Sequence, residues 1–335
     1  MIDQNLQGRF DAELKSEQFD DGDTSSRAPG GAMAAEATWS TRLFGAALGG
    51  RLEKIPFTKG APVSPYFSIR VRGLGRIVPG AGWRIARQSP FHLSESPEVA
   101  GLPVDPASLL SSGKDEVVPA EAHHRSISCE ADLGRGFSLV VEAYEKRYRR
   151  LLAWDEDGPT EQTIRDDGTG KGRGVEMTLR KEEGSGASGW LSYAISKTEK
   201  REGPSDTMRP ADHDRPKMLQ AAIDLPLGEG TNLTFAYRAS SGRPITPLLG
   251  TGSGELTQGV INSERLPFYR RLDVKLEHRI KGEKQDAFLY VDVLNVLNRK
   301  NTADVIQYVG GGGEVVRIDS QGVPILPVAG FGFYF

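Results

Sequence analysis

Apolar and polar residues alternate along most of this chain. In "RRLDVKLEHRI", Leu272, Val274 and Leu276 share one parity, while Arg271, Asp273, Lys275 and Glu277 share the other. In "GVEMTLRK", Val175, Met177 and Leu179 oppose Glu176, Thr178 and Arg180. In "LQAAIDL", Leu219, Ala221, Ile223 and Leu225 oppose Gln220, Ala222 and Asp224, and in "YFSIRVR", Phe67, Ile69 and Val71 oppose Ser68, Arg70 and Arg72. Successive side chains of an extended strand point to opposite faces, so each run predicts a strand with one apolar face and one polar face.

Short glycine turns separate many of these runs: "GLGR" at 73–76, "LGRG" at 133–136, "EGSGA" at 183–187, "LGEG" at 227–230 and "KGEK" at 281–284. Such turns between alternating runs are a hairpin signature. Longer polar connections are expected at about 20–30, 58–64, 88–119, 154–168, 202–214, 244–265 and 298–321. The pattern predicts about fourteen strands: 4–19, 31–41, 43–57, 64–72, 76–88, 120–133, 136–153, 168–182, 187–201, 214–227, 230–243, 265–281, 285–297 and 322–335.

Many of these runs are longer than the roughly 5–6 residues usual in soluble sheets. They suit a tilted membrane strand, which needs about 9–11 residues. Tight and long connections alternate from Arg72 onward. That order fits a barrel with short turns on one side and long loops on the other. The predicted fold class is therefore all-β: an antiparallel transmembrane β-barrel meander forming one domain over residues 1–335.

Composition leaves this picture standing. The chain has 335 residues, 26% of them charged, and a net charge of −3, so no basic field points to nucleic acid. No run of about 18 apolar residues is present to form a membrane helix. A barrel would show none, because its strands alternate lipid-facing and lumen-facing residues. The single cysteine, Cys129, excludes an internal disulfide framework and a CxxC metal site. His123 and His124 are neighbours and would point to opposite faces of a strand, so they do not form a joint metal site. The opening "MIDQNLQGRFDAELK" lacks the charged and apolar regions of a signal peptide.

The chain ends on "VPILPVAGFGFYF", with Phe331, Phe333 and Phe335 two residues apart. On a closing strand this stripe is expected to face lipid together with Leu272, Val274 and Leu276, while Arg271, Asp273, Lys275 and Glu277 face a lumen. A terminal aromatic of this kind resembles the assembly signal of bacterial outer-membrane barrels. That resemblance implies the barrel-assembly machinery and outer-membrane lipid as partners.

Further segments carry a family resemblance. "SPYFSIRVRGLGRIVPGAGWRIARQSP", "GRGVEMTLRKEEGSGASGWLSYAISKTEKR", "RPADHDRPKMLQAAIDLPLGEGTNLTFAYRASSGRPITP", "LPFYRRLDVKLEHRI", "AFLYVDVLNVLNRKN" and "ILPVAGFGFYF" follow one another as successive strands and hairpins. In this order they resemble the C-terminal barrel portion of TonB-dependent outer-membrane receptors. The resemblance implies an outer-membrane location and energy-coupled uptake of a scarce small ligand such as a ferric siderophore. It also implies an incomplete part of a barrel of about 22 strands, without the plug domain through which the TonB complex acts. A passive porin of about fourteen strands is the alternative, and a soluble β-rich binding protein is a third reading.

Few residues invite specific chemistry. "GTGKGRG" at 168–174 lacks phosphate-loop spacing and opens a strand. "VGGGG" at 309–313 reads as an outer loop. "DHD" at 212–214 and "DEDG" at 155–158 offer carboxylates without an EF-hand pattern, and read as solvated loops. No nucleophile and base set is recognisable, so no enzyme and no cofactor is predicted. Arg147, Arg149, Arg150, Arg270 and Arg271 are candidate lumen residues for an anionic solute, because guanidinium matches planar anions. Ordinary pairing with Asp or Glu in a polar lumen is the plainer reading.

Overall fold

A computed structural model describes residues 5–20, 25–54, 60–88, 118–154, 164–182, 184, 186–250, 256–282, 285–311 and 314–333. The main strands are β1 Asn5–Asp20, β2 Ser25–Ser40, β3 Phe44–Lys54, β4 Val63–Val71, β5 Ile77–Gln88, β6 Ala120–Gly134, β7 Phe137–Trp154, β8 Ile164–Lys181, β9 Ser188–Arg201, β10 Lys217–Gly228, β11 Thr231–Ser240, β12 Tyr269–Ile280, β13 Ala287–Leu294 and β14 Leu326–Phe333. Along the hydrogen-bonded path of the sheet they follow in chain order from β1 to β14. The described residues contain no helix.

Each of the fourteen predicted runs contains the greater part of one of these strands, and three differences stand out. Residues 25–30, expected in a loop for their Ser, Gly and Pro content, pair with β1 from Asp20↔Ser25 onward. Strand β8 starts at Ile164, so the glycine-rich 168–174 stretch is strand throughout. The expected connection at 298–321 contains its own hairpin, Thr302–Val309 against Val315–Gln321. "DEDG" at 155–158 and Phe335 lie outside the described residues.

The fold divides into two compact units: Met1–Cys129, Ala143–Arg173 and Glu199–Met208 form one, and Glu130–Glu142, Gly174–Thr198 and Arg209–Phe335 form the other. In the first unit, register places Gly8, Ala37, Leu48, Phe67 and Trp83 in one cross-strand row. The neighbouring row of opposite parity holds Arg9, Glu36, Gly49, Tyr66 and Arg84. In the second unit, Ile223, Phe235, Val274, Val293 and Pro327 form one row, and Asp224, Thr234, Lys275, Asp292 and Val328 form the next. Directly opposed residues point to the same face. Each unit thus has an apolar face and a charged face.

Burial is inverted relative to a water-soluble domain. Among the described residues few apolar side chains are buried: Ala32, Pro119, Ala239, Pro244, Ile245 and Leu266. Leu14 is 93% exposed and Phe331 75%, and Phe10, Leu48, Ile127, Val175 and Leu289 are exposed as well. Exposed apolar side chains in rows within each unit mark an interaction with something apolar.

Candidate functional site

The charged face of the second unit is built by period two. On β12, Arg271 Nε donates to Asp273 at 2.6 Å and Lys275 Nζ donates to Glu277 at 2.6 Å. Both are i,i+2 pairs along one face. Across the strands, Thr234 Oγ1 donates to Asp224 at 2.6 Å, and Lys275 lies 5.1 Å from the centre of the Tyr290 ring. Ser188, Asp224, Asn232, Thr234, Lys275 and Glu277 line a polar cleft on this face. Tyr290 has space there because Gly330 stands opposite it: a β-carbon at Gly330 would come within 2.6 Å of the Tyr290 hydroxyl.

The first unit repeats the scheme. Arg9 meets Asp11 at 2.8 Å, and Arg51 meets Glu53 at 3.1 Å and Glu13 at 3.3 Å. The Tyr66 hydroxyl donates to Glu36. His124 packs edge-on to Tyr144, and Lys146 lies 4.8 Å over the same Tyr144 ring. His123 turns the other way and bonds Glu121 at 2.5 Å, so the two histidines do face apart.

At the long-connection end of the second unit the chain is knitted by polar groups. Asp214, nearly fully buried, accepts from the Thr198 N–H at 2.6 Å and from Arg265 at 2.5 Å, and its own carbonyl accepts from Arg265 at 2.7 Å. Asn262 donates to Asp212 at 2.7 Å and to the Pro210 carbonyl at 2.8 Å. The "DHD" segment is therefore a tied junction and not a solvated loop. The two long connections meet through Gln307, which accepts from the Leu248 N–H at 3.0 Å, and through the ion pairs Arg243–Asp304 and Arg317–Glu264. Asn295, fully buried, donates to the carbonyls of Arg299 and Val323 at 3.0 Å each and accepts from the Arg299 N–H at 3.1 Å. These asparagines carry no local sequence signature, because their partners are distant or are backbone groups.

The candidate arginines do not form one group. Arg271 lies on the charged face, bound to Asp273, whereas its neighbour Arg270 points the opposite way and stacks over Phe268 at 5.2 Å. Adjacent strand residues cannot line the same face, so the two do not act jointly. Arg147 is exposed and bonds Glu145, and Arg149 is exposed two residues on. Arg150 breaks the strand rhythm with a φ of 58° and lies 3.9 Å from Glu121. Phe331 and Phe333 sit on the apolar face, 6.3 Å apart and edge to face.

No family model and no curated protein matches the sequence. Solved structures do match. The ferric preacinetobactin receptor BauA of Acinetobacter baumannii superposes with a TM-score of 0.60 at 14% identity, over 92% of this chain and 43% of BauA. The outer membrane transporter YddB of Escherichia coli gives 0.65 at 10% identity, over 98% and 51%. The pyoverdine outer membrane receptor FpvA of Pseudomonas aeruginosa gives 0.64 at 12% identity, over 93% and 43%. The fold is that of an outer-membrane receptor's strand meander. The chain spans about half the length of these structures or less. They are receptors and transporters, not enzymes.

Proposed function

We propose that this chain is the barrel segment of a TonB-dependent outer-membrane receptor, placed in a bacterial outer membrane and serving uptake of a scarce small ligand such as a ferric siderophore. The observation that carries the reading is the pair of faces, one apolar and one charged, shared by neighbouring strands within each unit. Leu225, Leu233, Leu276 and Val291 share an apolar row, while Asp224, Thr234, Lys275 and Asp292 share a charged one. In lipid the apolar row is favoured outward, since Arg or Lys facing the bilayer midplane costs about 2–4 kcal/mol. The likeness to receptors for ferric preacinetobactin and pyoverdine supports the ligand class. It does not favour the porin alternative. Coupling to the TonB complex requires a plug domain, and insertion requires the barrel-assembly machinery. Within the charged face, Arg271 is the candidate lumen arginine.

The test is purification of the chain into detergent micelles, followed by titration with ferric siderophores of the hydroxamate, catecholate and carboxylate types. Tryptophan fluorescence reports binding through the chain's four Trp residues. Saturable quenching by one class is expected. Quenching by none, together with uniform open channels in a planar bilayer, would contradict the reading and favour a porin.

A further inference from the structure

The apolar face of the first unit ends in cations on four neighbouring strands. On β5, Trp83 is on the apolar face by its register with Phe67, so Ile85 and Arg87 share that face. On β6, the hydroxyls of Ser126 and Ser128 approach Gly82 and Gly80 on the charged face, which turns Arg125 and the exposed Ile127 to the apolar face. On β7, Tyr144 and Lys146 lie with His124 on the charged face, so Glu145, Arg147 and Arg149 lie on the other. On β8, Gly170 lies against Tyr148 on the charged face, which leaves Lys171 and Arg173 on the parity of Val175 and Met177. Glu145 ties this face together, bonding Arg147 and interacting electrostatically with Lys171 and Arg125.

Within this stretch six cations, Arg87, Arg125, Arg147, Arg149, Lys171 and Arg173, outnumber the three carboxylates of the same parity, Glu121, Glu145 and Asp167. Glu121 is already held by Arg87 at 2.8 Å and by His123 at 2.5 Å. The band lies toward the long-connection ends of its strands, immediately beyond the apolar residues. Had it faced a lumen, nothing would place it at the edge of an apolar belt. We propose that this band binds the phosphate groups of anionic lipid headgroups in the leaflet on the long-connection side. Guanidinium groups match phosphate oxygens in bidentate geometry. The inference rests on the outer-membrane reading, since it needs the apolar face to lie in lipid.

The experiment uses the whole chain in dodecylmaltoside micelles doped with diphosphoryl lipid A or with phosphatidylcholine, and measures lipid retained per protein after gel filtration. Trypsin resistance in undoped micelles reports insertion separately. Cations near an anionic surface strengthen attachment by a factor on the order of 5 each, so R125E/R147E/K171E should lower lipid A retention by at least about fivefold. The milder R147Q/R149Q should lower it less. Arg84→Glu with Lys146→Glu, on the charged face, should leave it unchanged. An inserted chain whose band variants retain lipid A like the parent would overturn this inference and leave the receptor reading intact. So would equal retention of phosphatidylcholine, or displacement by inorganic phosphate at matched phosphate concentration, the mark of a free-ion site. A chain that trypsin digests in every micelle would overturn both.

Discussion

Arg265 closes on Asp214 from two sides, one guanidinium nitrogen 2.5 Å from the carboxylate and the other 2.7 Å from the Asp214 carbonyl. The two residues lie fifty-one positions apart. The contact joins the segment entering β10 to the one leading into β12. Arg265→Ala would leave a buried carboxylate with the Thr198 N–H as its remaining bonded donor, and hydrogen bonds to charged groups are worth about 1.5–3 kcal/mol. A loss of about 2 kcal/mol is expected, read from urea unfolding in micelles, with faster proteolysis between residues 202 and 216. Unchanged unfolding would show that the junction does not hold the connections.

Asn295 ends β13. Its φ of 52° is in the left-handed region, which Asn and Gly tolerate best, and its side chain is fully bonded to the backbone around it. Asn295→Leu should destabilise by about 2–4 kcal/mol, because it adds strain to unsatisfied buried carbonyls. Asn295→Gly should cost less, keeping the backbone conformation while losing the bonds. Equal costs would point to volume alone.

Gly330→Val tests the close approach of Tyr290. The added side chain would displace the ring and its contact with Lys275, at an expected cost of about 1–3 kcal/mol. Pairing it with Tyr290→Ala should recover part of that loss, and a double-mutant cycle measures the coupling. Additive effects would show that ring and glycine do not interact.

Asp286, just before β13, is expected to make local stability depend on pH. Asp286 accepts from Arg279 Nε at 2.8 Å and from the Gly282 N–H at 3.2 Å, and these contacts hold its carboxyl below the usual carboxylate range. A depressed folded pKa stabilises the turn above the unfolded value of about 3.9, and that contribution is lost as pH falls through the folded pKa. Amide exchange at Gly282 should therefore show less protection at low pH relative to a pH-insensitive reference amide. Asp286→Asn should abolish the response, and a response retained in that variant would assign it elsewhere.

What the sequence disclosed followed from local rules. Alternation of Leu272, Val274 and Leu276 with Arg271, Asp273 and Lys275 needs no partner strand to be legible, and neither do the glycine turns. The start of β2 was hidden because "SSRAPGG" has loop composition, and only pairing with β1 makes it strand. Asp214 and Asn262 were hidden for the opposite reason: their bonds span about fifty residues, which no local spacing encodes. The direction of Arg147 and Arg149 depends on neighbours such as Tyr144 and His124, which only the assembled sheet brings together.

The proposed placement puts the apolar face in lipid and the charged face in water. It is tested by single spin labels at Val274 and Lys275 in a Cys129→Ser background, with the chain reconstituted in lipid. The label at Val274 should be relaxed by oxygen dissolved in the bilayer, and the label at Lys275 by an aqueous nickel chelate. Equal behaviour at the two positions, or the reverse assignment, would overturn this placement.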